Sequence, residues 1–279
     1  MSIDSVNKAT EHVEAVLNYL DHDGRRPVNY TYPPPAGVPQ QSHQAISHRV
    51  RIHNARELAQ PPALDTHGFA LFEHRSEHTD FTGDAQIRAG YYPESIALLK
   101  RLTGAEHAVI FDHTLRFDRK DHAEEGIREP VRRVHNDQTF ISGPRRVRDH
   151  VPAHEVEARL AQRHAIINLW RPIGEPVQTA PLALCDARSI ALDDLVTSDL
   201  VYRDKVGETY SFQHNPAHRW FYYPRVRPDE VVLLKIYDSR ADAARLTAHT
   251  AFDDPNTAPD APPRRSIELR ALVFWPTVQ

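Results

Sequence analysis

The sequence predicts a mainly β fold, with a β-sandwich or barrel core and helices packed outside it. Beyond Val131 the chain breaks into short β-like runs separated by proline or Asp/Gly turns, which is typical of such cores. The 22 prolines, set against 10 glycines, favour stiff extended connections over a helical bundle. With 279 residues, 40% of them apolar, the chain is long enough to bury a sizeable core.

The amino-terminal part mixes both kinds of element. Apolar residues near helical spacing predict a short amphipathic helix over residues 4–20, and the prolines of residues 33–39 predict an extended arm. The spacing of LDTHGFALFE (residues 64–73) is that of a strand. YPESIALLKRLT (residues 92–103) has the apolar spacing and polar start of a helix.

The remaining chain supplies the predicted β core. A strand is expected at HAVIFDHTLR (residues 107–116), a solvated loop or short helix over 118–130, and a helix at VPAHEVEARLAQR after Asp149. The later β-like runs are RRVHNDQTF, HAIINLWRPI, PLALCDARSI, HRWFYYPRV, EVVLLKIYDS and SIELRALVFW. We expect one domain over residues 1–279, with residues 1–60 as an amino-terminal extension and the core from about residue 107 to 279.

Composition excludes several classes of function. The formal net charge of -4, with mixed acids and bases, gives no basic stripe for nucleic acid. Cys185 is the only cysteine, so this chain alone holds no disulfide, thiolate zinc site or iron–sulfur cluster, and we expect a small buried thiol there. No signal peptide or membrane-spanning stretch is apparent, so a cytoplasmic protein is expected.

One short motif carries metal chemistry. His135 and Asp137 stand two residues apart in VHNDQT, and residues i and i+2 of a strand point to the same face. A mononuclear iron(II) oxygenase needs two histidines and one carboxylate as facial ligands, leaving three positions open. HNDQ also has the composition of a polar turn, so the motif requires a third ligand from farther along the chain.

Three histidines compete for that third position. His214 and His218 lie beside turn residues before the buried strand EVVLLKIYDS, whereas His249 follows that strand and precedes the arginine-bearing strand RRSIELRALVF. We favour His249. On the last strand, Arg264 and Ser266 share a face and suit a carboxylate, since a guanidinium can bond both oxygens while a hydroxyl donates one more hydrogen bond.

Arg270 has the same parity as Arg264 and is a rival for that carboxylate, or for an acidic group on the substrate. Asn168 and Trp170 share a face of another predicted strand and could line the pocket, beside Arg171. Tyr202 is a candidate substrate contact, although aromatic residues in β-proteins more often pack in the core.

The chain resembles the hydroxylase/desaturase family that includes the cephem methoxylase subunit CmcJ and fungal AsaB-type enzymes of secondary metabolism. The resemblance extends over about residues 30 to 275. It is carried by the blocks HNDQT, NLWRPI, PLALCDARS, HRWFYYPRVRPDEVVLLKIYDS, HTAFDDP and PPRRSIELRALVF.

The resemblance implies a double-stranded β-helix, or jelly-roll, and dependence on Fe(II), 2-oxoglutarate and O2. It implies His135, Asp137 and His249 as the metal ligands, and Arg264 with Ser266 as the cosubstrate anchor. The implied reaction hydroxylates, desaturates or cyclises a small molecule and yields succinate and CO2. The stretch between Asp137 and His249 is longer than in the commoner oxygenases, so an inserted element must fit between the ligand strands.

Two other classes of function stay open at this point. A redox-neutral metalloenzyme would use the same three ligands, but it would not need the Arg264 and Ser266 anchor. A non-catalytic or partner-dependent subunit, as in a two-component methoxylase, is the third possibility. The expected partners are a small-molecule substrate and either a second copy of the chain or a partner subunit, with no nucleic acid and no membrane.

Overall fold

The structure is a computed structural model that describes residues 11–118 and 127–276. The strands of the described residues are β1 (His12–Asp21), β2 (Val28–Tyr30), β3 (Gln44–Asn54), β4 (Phe69–Glu73), β5 (His107–Phe117), β6 (Ile127–Arg128), β7 (His135–Asn136), β8 (His164–Pro172), β9 (Leu182–Cys185), β10 (Leu195–Val201), β11 (Val206–Phe212), β12 (Trp220–Tyr222), β13 (Glu230–Asp238), β14 (His249–Ala251) and β15 (Arg265–Phe274). The helices are α1 (Leu64–His67), α2 (Asp84–Gln86), α3 (Tyr92–Thr103), α4 (Ser142–His150) and α5 (Val156–Ala161).

These strands form two sheets. The larger sheet has the order β1-β3-β12-β9-β14-β7-β11-β10-β2, and the smaller has the order β4-β13-β8-β15-β5-β6. Five strands lie between β1 and β11 in this order, yet β1 contacts β11, so the larger sheet curls back on itself. The mainly β prediction is therefore confirmed, and the two-sheet arrangement is that of a jelly-roll.

Strand parity divides the apolar residues into layers. Trp170 and Leu272 of the smaller sheet pack with Leu184 and Phe221 of the larger sheet, which places one core between the sheets. The opposite parity of β8 and β15 packs beneath α3, where Leu98 is fully enclosed. Because neighbouring residues of a strand face opposite sides, one face of β15 supports the helix layer and the other faces the space between the sheets.

The segment predicted as helix over 4–20 is a strand where the structure describes it. Val13, Ala15, Leu17 and Tyr19 alternate inward along β1, and all four are buried. The helical interpretation was wrong because Val13, Val16, Leu17 and Leu20 also fit a 3.6-residue period. Residues 4–10 of that prediction lie outside the described residues.

The amino-terminal extension is built into the larger sheet. β1 pairs with β3 over its whole length, and β2 pairs with β10. Residues 28–30, which lie within the predicted extension, therefore form the far edge of that sheet.

Elsewhere the predictions and the structure differ mainly in length. The helix over 92–103 is confirmed, with Pro93 in its first turn and Gly104 ending it at φ +71°. Residues 64–67 are a helical turn, so the strand predicted from residue 64 begins at Phe69. Most of the loop predicted over 118–130 lies outside the described residues. Within them, no helix has the length and apolar character needed to span a membrane.

Candidate active site

Two adjacent strands of the larger sheet bring the two histidines together. β7 and β14 pair antiparallel with His135 directly opposite His249, and residues in such a pair point to the same side. Their ring centroids are 4.3 Å apart. Pairing between distant parts of the chain therefore joins the HNDQ motif to the later histidine.

Asp137 follows β7 and completes a three-residue cluster. Its Oδ1 lies 3.5 Å from Nε2 of His135, and one potential ligand atom from each of His135, Asp137 and His249 falls within 4.8 Å of the others. In the described part of the chain, no other group of three histidine, cysteine or acidic side chains meets that spacing. Asn136, between His135 and Asp137, donates to the Ile236 carbonyl oxygen at 2.9 Å and so ties this segment to the smaller sheet.

Both imidazoles keep their Nε2 atoms for a ligand role. Nδ1 of His135 donates to the Arg133 carbonyl oxygen at 2.8 Å, and Nδ1 of His249 lies 3.4 Å from the Thr247 carbonyl oxygen. Metal-binding histidines in proteins use their second nitrogen in this way, because the outer contact fixes the tautomer and the ring orientation.

The second oxygen of Asp137 is held from the smaller sheet. Oδ2 accepts hydrogen bonds from Asn168 Nδ2 and from Arg270 Nε, both at 2.9 Å. Burial alone would raise the pKa of Asp137, but the Arg270 charge and the neighbouring histidines hold it well below its usual range. The carboxylate is therefore ionised, with Oδ1 directed toward the histidines.

His249 is neutral at physiological pH. Burial, reinforced by the nearby His135 ring, lowers its pKa to about 4. Two imidazoles and one carboxylate form the donor set of the facial triad of non-haem iron(II) oxygenases, so these residues fit ferrous iron.

A second part of the site lies beside the triad. The Arg264 side chain is buried, and it lines the same cavity as His135, His249 and Trp170. Its Nη1 donates to the Ala180 carbonyl oxygen, whereas its Nε and the Ser266 Oγ are buried with no hydrogen-bond partner. Buried donors without partners are costly, so they indicate a place for an acceptor such as a carboxylate. Burial, with Arg116 nearby, lowers the pKa of Arg264 to about 9.

Several predicted site residues take other places. Four of the five N–H donors of Arg270 are engaged, with Asp137, Asp112, Thr114 and Glu268, so at most one is left for a cosubstrate. The amide nitrogen of Asn168 likewise donates to Asp137 and Glu268, so it is already engaged by the protein's own carboxylates.

Arg171 has the opposite parity to Trp170 and points away from the site. Its guanidinium binds the His74 carbonyl oxygen at 3.1 Å, the His74 ring at 2.7 Å and the Pro228 carbonyl oxygen at 3.2 Å. The Arg171 guanidinium is therefore engaged away from the triad, and its contact with substrate stays a prediction.

Tyr202 lies close enough to Asp137 and Arg270 for their charges to act on its phenol. Burial raises the pKa of its phenol, and the charges of Arg128, Arg270 and Asp137 also act on it. Its contact with substrate stays a prediction.

The rival histidines lie in a separate cluster. His218 bonds Asp194 at 3.0 Å and the Tyr19 hydroxyl at 3.0 Å, and His214 stacks on His48. Cys185 is fully buried as predicted, and burial raises the pKa of its thiol to about 12.

Sequence reasoning missed two charged residues of the site. Glu268 lies between Ser266 and Arg270 on the inward face of β15, and its Oε1 accepts from Asn168 at 2.8 Å. Strand parity alone could have found it. Arg116 of β5 lies opposite Ser266, and only the register between the two strands reveals that position.

Comparison with known proteins gives the same assignment. A family described as an oxidoreductase/YMDC permease-like domain matches residues 17–274. The Fe(II)/2-oxoglutarate-dependent dioxygenase nvfI of Aspergillus novofumigatus is 36% identical over 254 residues, which cover 88% of this chain and 90% of that protein. The hydroxylase/desaturase CTB9 of Cercospora beticola is 33% identical over 249 residues, covering 81% and 76%. A solved structure of the iron and alpha-ketoglutarate-dependent endoperoxidase NvfI matches with a TM-score of 0.86 and 31% identity, over 96% of this chain and 99% of that one.

The chain belongs to this family of Fe(II)/2-oxoglutarate-dependent dioxygenases. Membership confirms the resemblance inferred from the sequence blocks, the jelly-roll fold, and the dependence on Fe(II), 2-oxoglutarate and O2. It also confirms that the chain is a non-haem iron(II) dioxygenase of the hydroxylase/desaturase type. The long segment between Asp137 and His249 holds α4, α5 and the strands from β8 to β13, which accounts for the separation of the ligands along the chain.

Proposed function

We propose that this dioxygenase oxidises a small secondary-metabolite or amino-acid-derived substrate, with His135, Asp137 and His249 holding Fe(II). The observation that carries the proposal is the convergence of these three side chains beside a buried arginine and serine with unused donors. A redox-neutral metalloenzyme would have no need for those donors. The cosubstrate is expected to place its distal carboxylate on Arg264 and Ser266.

The bound metal and 2-oxoglutarate supply the oxidising chemistry with O2, giving succinate, CO2 and the oxidised substrate. The protein's own residues orient the groups that would bind the metal and the cosubstrate, and they exclude water from the site. Asn168 and Arg270 fix the Asp137 carboxylate, so that Oδ1 alone is presented to the metal. The Trp170 ring, 5.5 Å from the Arg264 guanidinium carbon, covers the anchor and keeps its donors out of bulk water.

The relatives' names include a hydroxylase/desaturase and an endoperoxidase, so one scaffold serves several outcomes. We propose that loops around Tyr202 select the substrate, and that hydroxylation, desaturation or ring closure follows from how the substrate is held. The remaining expectations are proposals as well: no nucleic-acid or membrane partner, a homodimer or partner subunit, and a cytoplasmic location.

The test is an anaerobic titration of the metal-free protein with Fe(II) and 2-oxoglutarate, following the visible metal-to-ligand charge-transfer band. We expect the band in wild type and its loss in His249→Ala, while His218→Ala, matched in residue type and outside the site, keeps it. If this protein alone, with no partner protein added, forms succinate from 2-oxoglutarate under air, a non-catalytic or partner-dependent subunit is excluded. Absence of the band in wild type, or full turnover by His249→Ala, would overturn the ligand assignment.

A further inference from the structure

Arg116 lies in the cosubstrate part of the site. In the pairing of β5 with β15, Arg116 is directly opposite Ser266, and cross-strand partners project from the same face of a sheet. Its side chain is only 11% exposed, and it lines the cavity that His135, His249 and Arg264 also line. Ser266 therefore has two arginines near it: Arg264, two residues earlier in the chain, and Arg116, on the neighbouring strand.

The charges around Arg116 do not balance within the protein. Its Nη1 donates to the Glu129 carbonyl oxygen at 2.9 Å, but Nη2 lies 3.8 Å from Glu268 Oε2, which is longer than a hydrogen bond. The Glu268 carboxylate is already bonded by Asn168 and, at 3.2 Å, by Arg270. Glu268 therefore cannot fully neutralise Arg116.

Arg264 lacks a carboxylate partner altogether among the described residues, since none of its nitrogens lies within 4.0 Å of an acidic oxygen there. Its guanidinium donates to the Ala180 carbonyl oxygen, and only its backbone N–H donates to Thr179 Oγ1. The positive charge of Arg116 opposes that of Arg264, while Asp118 and Glu268 favour it without forming a hydrogen bond to it. Two shielded guanidinium groups that face one cavity, neither of them within hydrogen-bond distance of a carboxylate among the described residues, are unfavourable unless an anion enters.

We propose that Arg116 is a second cosubstrate-binding residue, which together with Arg264 clamps the distal carboxylate of 2-oxoglutarate on either side of Ser266. The proposal rests on the proposed function. Position along the strand supports this carboxylate over an acidic group of the substrate. Ser266 is two residues from Glu268, which is about 7 Å along β15, and the Glu268–Arg270 end holds the metal ligand Asp137. The two methylenes of 2-oxoglutarate separate its chelating end from its far end in the same direction.

The experiment compares two ligands that differ only at the far end. 2-Oxopentanoate has the oxo acid head of 2-oxoglutarate but carries a methyl group in place of the distal carboxylate. Half-saturating concentrations of each are measured anaerobically, without substrate, from the charge-transfer band of the iron-loaded protein. The variants are Arg116→Met, Arg116→Lys and the control Arg265→Met, whose exposed arginine lies next to Arg264 on the opposite face of β15.

We expect Arg116→Met to raise the half-saturating concentration of 2-oxoglutarate about 10- to 100-fold, the usual effect of losing a hydrogen bond between charged groups. Binding of 2-oxopentanoate should not change, because it makes no contact with Arg116. Arg116→Lys should fall between wild type and Arg116→Met, since an ammonium keeps the charge without the two-pronged geometry. Arg265→Met should bind both ligands as wild type does.

Two results would overturn the proposal. The first is wild-type affinity of Arg116→Met for 2-oxoglutarate. The second is equal weakening of both ligands, which would indicate a disturbed metal centre. If Arg116→Met fails to fold, the ratio of the two affinities in Arg116→Lys decides by the same criteria. A wild-type protein without the band would instead refute the proposed function, so the two failures are distinguishable.

Discussion

Replacement of Arg270 by methionine tests how the smaller sheet holds Asp137, the proposed metal ligand. Arg270 bonds Asp137 at 2.9 Å and Glu268 at 3.2 Å, and it adds contacts to Asp112 and Thr114. Its side chain is 12% exposed, and those of Asp137 and Glu268 are 14% and 7% exposed. Methionine has a similar apolar stem, so the substitution removes the charge and the donors with little change in packing.

The expected cost follows from these contacts. Removing one partner of a buried ion pair costs about 3–5 kcal/mol, because the remaining charge stays buried without compensation. Here two carboxylates would be left side by side, and one of them would take up a proton near neutral pH. Since proton uptake relieves part of the penalty, we expect a loss near the lower end, about 3 kcal/mol in the free energy of unfolding.

The assay is chemical denaturation of the metal-free protein at neutral pH, with Arg265→Met as the exposed arginine control. Arg270 holds the folded-state pKa of Asp137 below its usual value, so this stabilisation exists above about pH 4 and is lost as the pH falls. The difference between wild type and Arg270→Met should therefore shrink in acid. Fe(II) affinity should also fall about 10- to 100-fold, as for other outer contacts of metal ligands. If Arg270→Met is as stable as Arg265→Met and binds Fe(II) as tightly, then Arg270 does not hold Asp137.

Three further predictions concern single positions. The pKa of His249 is lowered to about 4 in the folded protein. As the pH falls below about 6.5, His249 therefore binds a proton in the unfolded chain but not in the folded one, and wild type loses stability. Metal-free His249→Gln should lack this part of the slope, up to about 1.4 kcal/mol per pH unit, when unfolding is measured from pH 6.5 to 4; equal slopes would contradict the shift. Arg264→Met should weaken 2-oxoglutarate about 10- to 100-fold in the anaerobic titration while Fe(II) affinity is kept, and an unchanged titration would remove Arg264 from the anchor. Gly143→Ala should lower the free energy of unfolding by about 1–3 kcal/mol, because the added methyl would lie 2.6 Å from the Tyr237 ring carbons; wild-type denaturation would show that the ring moves aside without cost.

The sequence predicted the clustering of His135, Asp137 and His249 better than it predicted the charged residues around them. His135 and Asp137 could be paired because the two-residue spacing of a strand is local information, and Arg264 and Ser266 could be paired for the same reason. The roles of Arg264 and Arg270 could not be separated, since they share parity. Their difference comes from their neighbours across the strands. Arg270 lies opposite Asn168 and Asp112, whereas Arg264 precedes β15 and forms no ion pair with an acidic side chain among the described residues.

The same limit explains the errors in the fold. The apolar residues of β1 fit two periods, and pairing with β3 decides between them. Arg171 was grouped with Trp170, although adjacent residues of one strand project from opposite faces, so only one of the two can face the triad. Arg116 needed the register of β5 against β15, which depends on non-local contacts that a single sequence does not encode in any short motif.

Joining the two sheets at Asp137 has a consequence for the chemistry. The histidines belong to the larger sheet, whereas Asn168, Glu268, Arg270 and the proposed anchor belong to the smaller one. Asp137 is covalently part of the first sheet and hydrogen-bonded to the second, so the distance between metal and anchor depends on how the sheets pack. Because close-packed cores resist small displacements, the span available to the cosubstrate is set by the fold itself and not by a mobile loop. This arrangement leaves the loops free to vary with the substrate, which is consistent with a family whose members carry out different oxidations on one scaffold.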